Sequence, residues 1–292
     1  MATVNIALVA GASGIIGNAL VRELKARPDW QVRALPRTLV DGVDSIKADL
    51  TDAQGSAKAL LQAADTTHLF YAALKGGHDL ADEEAINQGM LRNLLDGLKA
   101  AGAPLERVVH YQGAKVYGVH LGCASAPFYE DDPRHLPANF YYAQEDLLRE
   151  RGAAGDFEWS ILRPDVVVGD VVGNPMNIVM VIGVFAALSK AAGVPLRFPG
   201  SHKTYSGVFA QTTDSTWLAH ASVWAAQAPA AHNRVFNLVG EPFRWERIWK
   251  RVAKEFDMEV GPPQPFSLAR QMPAKAEAWG RLVAEHGLQQ VP

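Results

Sequence analysis

The first apolar run, Val4 to Val9, is short and rich in β-branched residues, and it stops at Gly11-Ala-Ser-Gly14-Ile-Ile-Gly17. Apolar positions then recur at helical spacing through Leu20 and Leu24 until Pro28 closes the pattern, so the segment predicts strand, turn and helix. Further strand-like runs follow at Trp30 to Leu35, Ile46 to Ala48, Thr67 to Ala73, Arg107 to Gln112, Trp159 to Leu162 and Val235 to Val239. Helical periodicity separates several of them. Ile86, Met90, Leu94 and Leu98 mark a helix over Glu83 to Ala101 that ends at Gly102, a helix runs from Tyr142 towards Arg151, and Asp214 caps another over Thr216 to Ala226. Trp245, Ile248, Trp249, Val252 and Phe256 form a last stripe, which at that spacing reads as core. Alternating strands and helices predict an α/β protein with a Rossmann-type doubly wound parallel sheet of about seven strands and a smaller C-terminal substrate-binding portion. The expected division is 1–170 and 171–292, with residues about 205–240 returning to the sheet.

Composition narrows the class. A chain of 292 residues with 48% hydrophobic content has enough material for a large core. Its net charge of -3 comes from mixed charges with no basic run, which argues against a nucleic-acid partner. The single cysteine, Cys123, excludes internal disulfides and thiolate-rich metal sites and suits a reducing compartment. The longest apolar run, Ile178 to Leu188, is shorter than the roughly 20 residues needed to span a bilayer, and the N-terminus carries no basic leader. The expected setting is cytoplasmic and away from membranes. The nine histidines show no metal-binding spacing, and no metal is assigned.

The glycine turn carries the first chemistry. Glycines allow a tight turn and close approach of a pyrophosphate, whose charge is favoured at a helix N-terminus. Gly11, Ser13, Gly14, Ile15, Ile16 and Gly17 are therefore candidate dinucleotide-binding residues. At the end of the second strand, where an acidic residue would bind ribose hydroxyls, the chain has Pro36-Arg37. Arginine there suits a 2′-phosphate, so NADPH (NADP+) is expected over NADH. Asp49 and Leu50 are placed to meet the adenine, with a helix-capping role the alternative for Asp49. The other cofactor candidates cluster where strands end: Ala72 and Ala73, Gln112, then Pro164, Val166 and Val167.

The fifth strand runs into Gly113-Ala-Lys115-Val-Tyr-Gly118, and a later helix opens on Asn139-Phe-Tyr-Tyr-Ala-Gln-Glu-Asp146. Tyr142 resembles the tyrosine of the short-chain dehydrogenase Tyr-x-x-x-Lys signature, but Asp146 stands where the lysine belongs. A lysine one helical turn away can lower the phenol's pKa and hold the cofactor ribose; an aspartate cannot. Lys115 is the expected replacement, with its ammonium within a few ångströms of the Tyr142 hydroxyl or the ribose.

Together these segments resemble the progesterone 5-beta-reductase and iridoid synthase-like family of atypical extended short-chain dehydrogenases/reductases. The resemblance rests on Gly11 to Gly17, Gly113 to Tyr117, the complete Asn-Phe-Tyr-Tyr-x-x-Glu-Asp motif and Arg163-Pro164, with weaker echoes from Met176-Asn177 through Leu196 to Phe198, Trp224 to Ala226 and Phe243 to Trp245. It implies NADPH-dependent reduction of the C=C bond of a small apolar enone or enal. Tyr142 and Lys115 are the implied catalytic pair, and Lys115, Tyr142 and Gln112 also border the cofactor. A ketoreductase or nucleotide-sugar epimerase is one alternative, and a non-catalytic NADP(H)-sensing protein is another. Gln112-Gly113 stand where extended short-chain dehydrogenases at large carry serines, and the sequence departs from the resembled family where Gly118-Val-His-Leu121 replaces the bulky aromatic groups of plant members. Phe128, Met176 and Phe185 suggest an apolar substrate pocket. The resemblance also implies a further segment beyond Pro292 in plant members, and a homodimer is an assembly it allows.

Overall fold

A computed structural model describes residues 4–36, 38, 40, 42–122, 126–171 and 177–289. The chain forms two compact units, Met1–Val167 with Thr213–Val239, and Val168–Thr212 with Gly240–Pro292. The segment that returns to the first unit thus begins at Thr213.

The first unit is built on β1 (Asn5–Ala10), β2 (Trp30–Leu35), β3 (Asp44–Ser45), β4 (His68–Tyr71), β5 (Arg107–Tyr111), β6 (Glu158–Pro164) and β7 (Arg234–Leu238). They make one seven-stranded sheet in the order β7-β6-β5-β4-β1-β2-β3, and every pairing is parallel. The order reverses direction between β1 and β4, the switch point outside which open α/β sheets leave a ligand crevice at the strands' carboxyl ends. Helices α1 (Ile15–Lys25), α2 (Ala53–Leu60), α3 (Leu80–Ala100) and α4 (Phe140–Ala153) follow the strands; α5 (Ile178–Ala191) belongs to the second unit, and α6 (Ser215–Gln227) to the first.

Strand alternation decides which face each residue feeds. On β1, Ala7 and Val9 join Leu20, Leu24, Leu218 and Val223 of α1 and α6 on one face, whereas Leu8 and Ala10 join Leu91, Leu94, Leu98 and Leu148 of α3 and α4 on the other. Both strand faces are buried, which is why these strands read as continuous apolar runs. Two buried imidazoles are among the exceptions. His68 and His110 are pushed down to about 4, chiefly by burial, and sit in the sheet as neutral rings.

Side-chain caps set the helix starts. Asp52, Asp79, Asn139 and Asp214 each accept a backbone N–H from the first turn of α2, α3, α4 and α6. The cap at Asn139 starts α4 at Phe140, two residues before the start predicted from periodicity.

The second unit carries α5, α7 (Trp245–Glu255) and α8 (Ala276–His286), with Leu196–Arg197 pairing parallel to Val260–Gly261. Its core gathers Ala186, Leu196, Phe198, Tyr205, Trp249 and Ala253. The aromatic stripe of α7 is therefore packing material, and Phe185, expected near a pocket, makes tilted ring contacts with Trp249 and Phe266 within this unit. Among the described residues no helix is long and apolar enough to cross a membrane.

Candidate active site

Among the described residues, every candidate at a strand end falls along the carboxyl edge of the large sheet. Gly11 follows β1, Ala72 and Ala73 follow β4, Gln112 follows β5, and Pro164 closes β6 ahead of Val166 and Val167. Arg37 and Met176 lie outside the described residues.

The glycine turn is packed as a cradle. Gly11 has φ +78°, and an ideal Cβ there would stand 2.6 Å from the Ala72 carbonyl oxygen. One on Gly17 would stand 2.3 Å from the Gly11 carbonyl oxygen. Only glycine satisfies both positions without moving backbone. Gly14 caps α1 without any side-chain hydrogen bond, and the first turn of α1 carries no acidic residue. A helix N-terminus with neither a side-chain cap nor an acidic residue thus stands at the β1 end, which fits a diphosphate. Ser13 and Ile16 are half-buried beside it, and Ile15 is buried. Asp49 takes a local role: its carboxylate accepts the Thr51 hydroxyl at 2.7 Å and the Thr51 N–H at 2.9 Å, which hold it below the usual carboxylate range. Leu50 is buried in the core against α3 and β4.

At the β5 end the two adjacent tyrosines of α4 diverge. The Tyr142 hydroxyl donates to the Val116 carbonyl at 2.5 Å and accepts the His135 N–H at 3.2 Å. Arg134 lies 4.8 Å over its ring and forms a two-pronged ion pair with Asp146 at 2.7 and 2.8 Å. Burial raises the Tyr142 pKa, with the His135 N–H and Arg134 acting against it. Tyr141 instead points to Gly113: an ideal Cβ on that glycine would stand 3.5 Å from the Tyr141 hydroxyl and 3.6 Å from the Pro164 carbonyl oxygen. That hydroxyl has no hydrogen-bond partner among the described residues, and burial, with the Glu83 carboxylate adding to it, pushes its pKa above the ordinary phenol range.

Lys115 is brought to the same edge by the loop after β5. Its carbonyl oxygen accepts the Asn139 side-chain N–H at 2.9 Å, while the Asn139 side-chain oxygen caps α4 at Tyr141 N–H, 3.0 Å. One buried amide therefore fixes the lysine loop and the tyrosine helix to each other. The Lys115 ammonium stands 3.7 Å from Glu83 and 5.7 Å from the centre of the Phe140 ring. Its ion pair is with Glu83, and the Tyr142 hydroxyl is hydrogen-bonded elsewhere.

Gln112 serves a buried network beneath the site. It donates to Glu145 at 3.2 Å and to the Tyr141 carbonyl at 3.1 Å, and accepts from Arg163 at 2.8 Å. Arg163 also donates to Glu145 at 3.2 Å and to the Tyr117 hydroxyl at 3.1 Å. Burial opposes the charge on Glu145, but Arg149, Gln112 and Arg163 outweigh it and hold the carboxyl below its usual range. Glu145 is the residue four places after Tyr141, so the helical face below that phenol carries a structural carboxylate. Periodicity alone did not reveal Tyr141 or Glu83. The usable signal was Asn139, an N-cap residue whose position sets the rotation of every side chain after it.

A parallel seven-stranded sheet with a glycine turn after β1 and a tyrosine helix over β5 defines an extended short-chain dehydrogenase type of Rossmann fold. The chain belongs to the PRISE-like Rossmann-fold domain family, whose model matches residues 29–291. It is 33% identical to a 3-oxo-Delta(4,5)-steroid 5-beta-reductase of Arabidopsis thaliana, over 98% of this chain and 79% of that protein. It is 32% identical to an (S)-8-oxocitronellyl enol synthase of Catharanthus roseus, over 97% of this chain and 77% of that protein. In structure it resembles the UDP-glucose 4-epimerase of Thermus thermophilus in complex with NAD, with TM-score 0.67, 21% identity, and 90% and 88% of the two chains covered. A GDP-L-fucose synthetase from Naegleria fowleri gives TM-score 0.71 at 13% identity, covering 100% and 96%. Identities this low speak for the fold alone.

Proposed function

We propose that this protein is an NADPH-dependent reductase of the C=C bond of a small apolar α,β-unsaturated aldehyde or ketone, acting in the cytoplasm. Its relatives named as a steroid 5-beta-reductase and as an oxocitronellyl enol synthase support that chemistry. The observation that carries the reading is the Tyr141 hydroxyl, without a hydrogen-bond partner among the described residues, at the carboxyl ends of β5 and β6, on the same loop and helix junction as Lys115.

The cradle of Gly11, Gly14 and Gly17 would hold the cofactor's diphosphate, with Ala72, Ala73 and Pro164 along its course and Arg37 favouring a 2′-phosphate. When bound, a reduced nicotinamide supplies the hydride. Tyr141 keeps its proton because burial raises its pKa, so its hydroxyl is a hydrogen-bond donor aimed at the oxygen on which negative charge develops. Lys115 adds positive charge at that edge, and Asn139 fixes both groups. Tyr142, with its hydroxyl committed to Val116, supports the loop.

The test is NADPH oxidation against a panel of small enals, cyclic enones and steroidal enones, with product identification. Saturated carbonyl product supports the proposal. Alcohol product would make the protein a ketoreductase, and tight NADPH binding without oxidation would make it a sensor.

A further inference from the structure

We propose that Glu83 is the positioning residue for Lys115: its carboxylate, rather than a spacing along α4, fixes where the ammonium stands at the start of α4, near the Phe140 ring. The inference rests on the reductase reading above. Glu83 lies in the first turn of α3, and its side chain is only 16% exposed, whereas that of Lys115 is 45% exposed. Lys115 is the one ion-pair partner of Glu83 among the described residues, at 3.7 Å.

The neighbouring acids of this turn have other tasks. Asp79 caps α3, Asp82 accepts the His78 N–H at 2.8 Å, and Glu84 accepts the Asn139 N–H at 2.9 Å. A carboxylate at a helix N-terminus is already favoured by the helix dipole, so folding does not demand a lysine opposite Glu83. The pairing instead constrains the lysine. A four-carbon stem reaching half into solvent has many rotamers, and a carboxylate on a packed helix start reduces them. The Glu83 backbone is itself fixed, because Gly77 passes so close that an ideal Cβ on it would stand 2.3 Å from the Glu83 nitrogen.

The geometry closes into a triangle. Glu83 holds the ammonium, Asn139 holds the Lys115 carbonyl and starts the helix of Tyr141, and Glu84 of the same α3 turn holds the Asn139 N–H. The Glu83 charge also reaches Tyr141, where it adds to burial in keeping the phenol protonated.

The test uses the full chain with Glu83→Gln and Glu83→Asp. Reductive methylation of Lys115, followed by mass spectrometry, reads the pairing without turnover. Steady-state NADPH oxidation with an enone that the unaltered protein reduces reads its use. In Glu83→Gln, Lys115 should label several times faster and kcat should fall by about tenfold, with KM for NADPH within about twofold, as expected of a misplaced group rather than a lost binding contact. Glu83→Asp, which keeps the charge, should recover part of the lost kcat. Unchanged labelling in Glu83→Gln, unchanged kcat, or an Asp variant no better than Gln would each overturn the inference. Failure of the unaltered protein to reduce any enone is a separate result, visible before any variant is made, and it overturns the functional reading and this inference with it.

Discussion

The Tyr142 hydroxyl is spent on the Val116 carbonyl at 2.5 Å, although Tyr142 is the tyrosine that signature spacing alone selects. Its neighbour Tyr141 carries a hydroxyl with no hydrogen-bond partner among the described residues, so the two phenylalanine variants should separate. Tyr141→Phe should lower kcat for enone reduction by about a hundredfold or more, the usual cost of one donor to a developing oxyanion, with NADPH affinity unchanged. Tyr142→Phe should cost about 1 kcal/mol of stability, measured by urea unfolding, and leave most of kcat. The reverse pattern would return the catalytic role to Tyr142.

Asn139 is expected to show two separable losses. Asn139→Ala removes the cap of α4 and the hydrogen bond to the Lys115 carbonyl, so it should lower stability by about 1 kcal/mol or more and reduce kcat. Asn139→Asp keeps a capping oxygen for the Tyr141 N–H but has no N–H for Lys115. Its melting temperature should stay closer to that of the unaltered protein while its kcat falls with that of the alanine variant. Equal activity of Asp and Asn at this position would show that the clamp on Lys115 is not used.

Gly11→Ala should weaken NADPH binding, measured by quenching of tryptophan fluorescence, and destabilise the chain by about 1–3 kcal/mol. The backbone at φ +78° is unfavourable for alanine, and the new methyl would meet the Ala72 carbonyl. Gly76→Ala is the control, since nothing lies within 4 Å of a Cβ there.

Removing Glu145 should be costly. Glu145→Ala leaves Arg163 charged and buried, without the carboxylate 3.2 Å from its guanidinium, and a loss of about 3–5 kcal/mol is expected from chemical denaturation. A much smaller loss would mean that water or Tyr117 replaces the carboxylate.

Acid should destabilise the sheet through His68 and His110. Both are held neutral in the fold, down to about 4 from an ordinary value of 6.5, so between those values the unfolded chain binds more protons than the folded one. Stability should therefore fall as pH drops below about 6.5 and go on falling towards pH 4. Replacing His68 by Gln, an uncharged side chain, should flatten that slope in urea titrations at a series of pH values.

Much of the fold was legible because local and global preferences agree. β1, the glycine turn and α1 announce themselves by a buried apolar run, three glycines at fixed spacing and a helical stripe, and the structure places them accordingly. Legibility failed at α4. The predicted helix began at Tyr142, whereas the Asn139 cap begins it at Phe140, and adjacent helical residues point about 100° apart. That rotation separates a phenol at the strand ends from one tied to a loop carbonyl.

The sequence by itself determined the alternating α/β pattern, the glycine turn at Gly11 to Gly17, and the presence of two tyrosines and a lysine near one strand end. Those properties are written in periodicity, in glycine's freedom from a Cβ and in residue type. Only the tertiary structure decided that the Tyr142 hydroxyl is tied to Val116 while Tyr141 faces Gly113, that Asp146 is paired with Arg134, and that the Lys115 ammonium meets Glu83. Each of these depends on the packing of α3, the β5 loop and α4, segments brought together by the sheet and separated along the chain, so no local pattern could encode them.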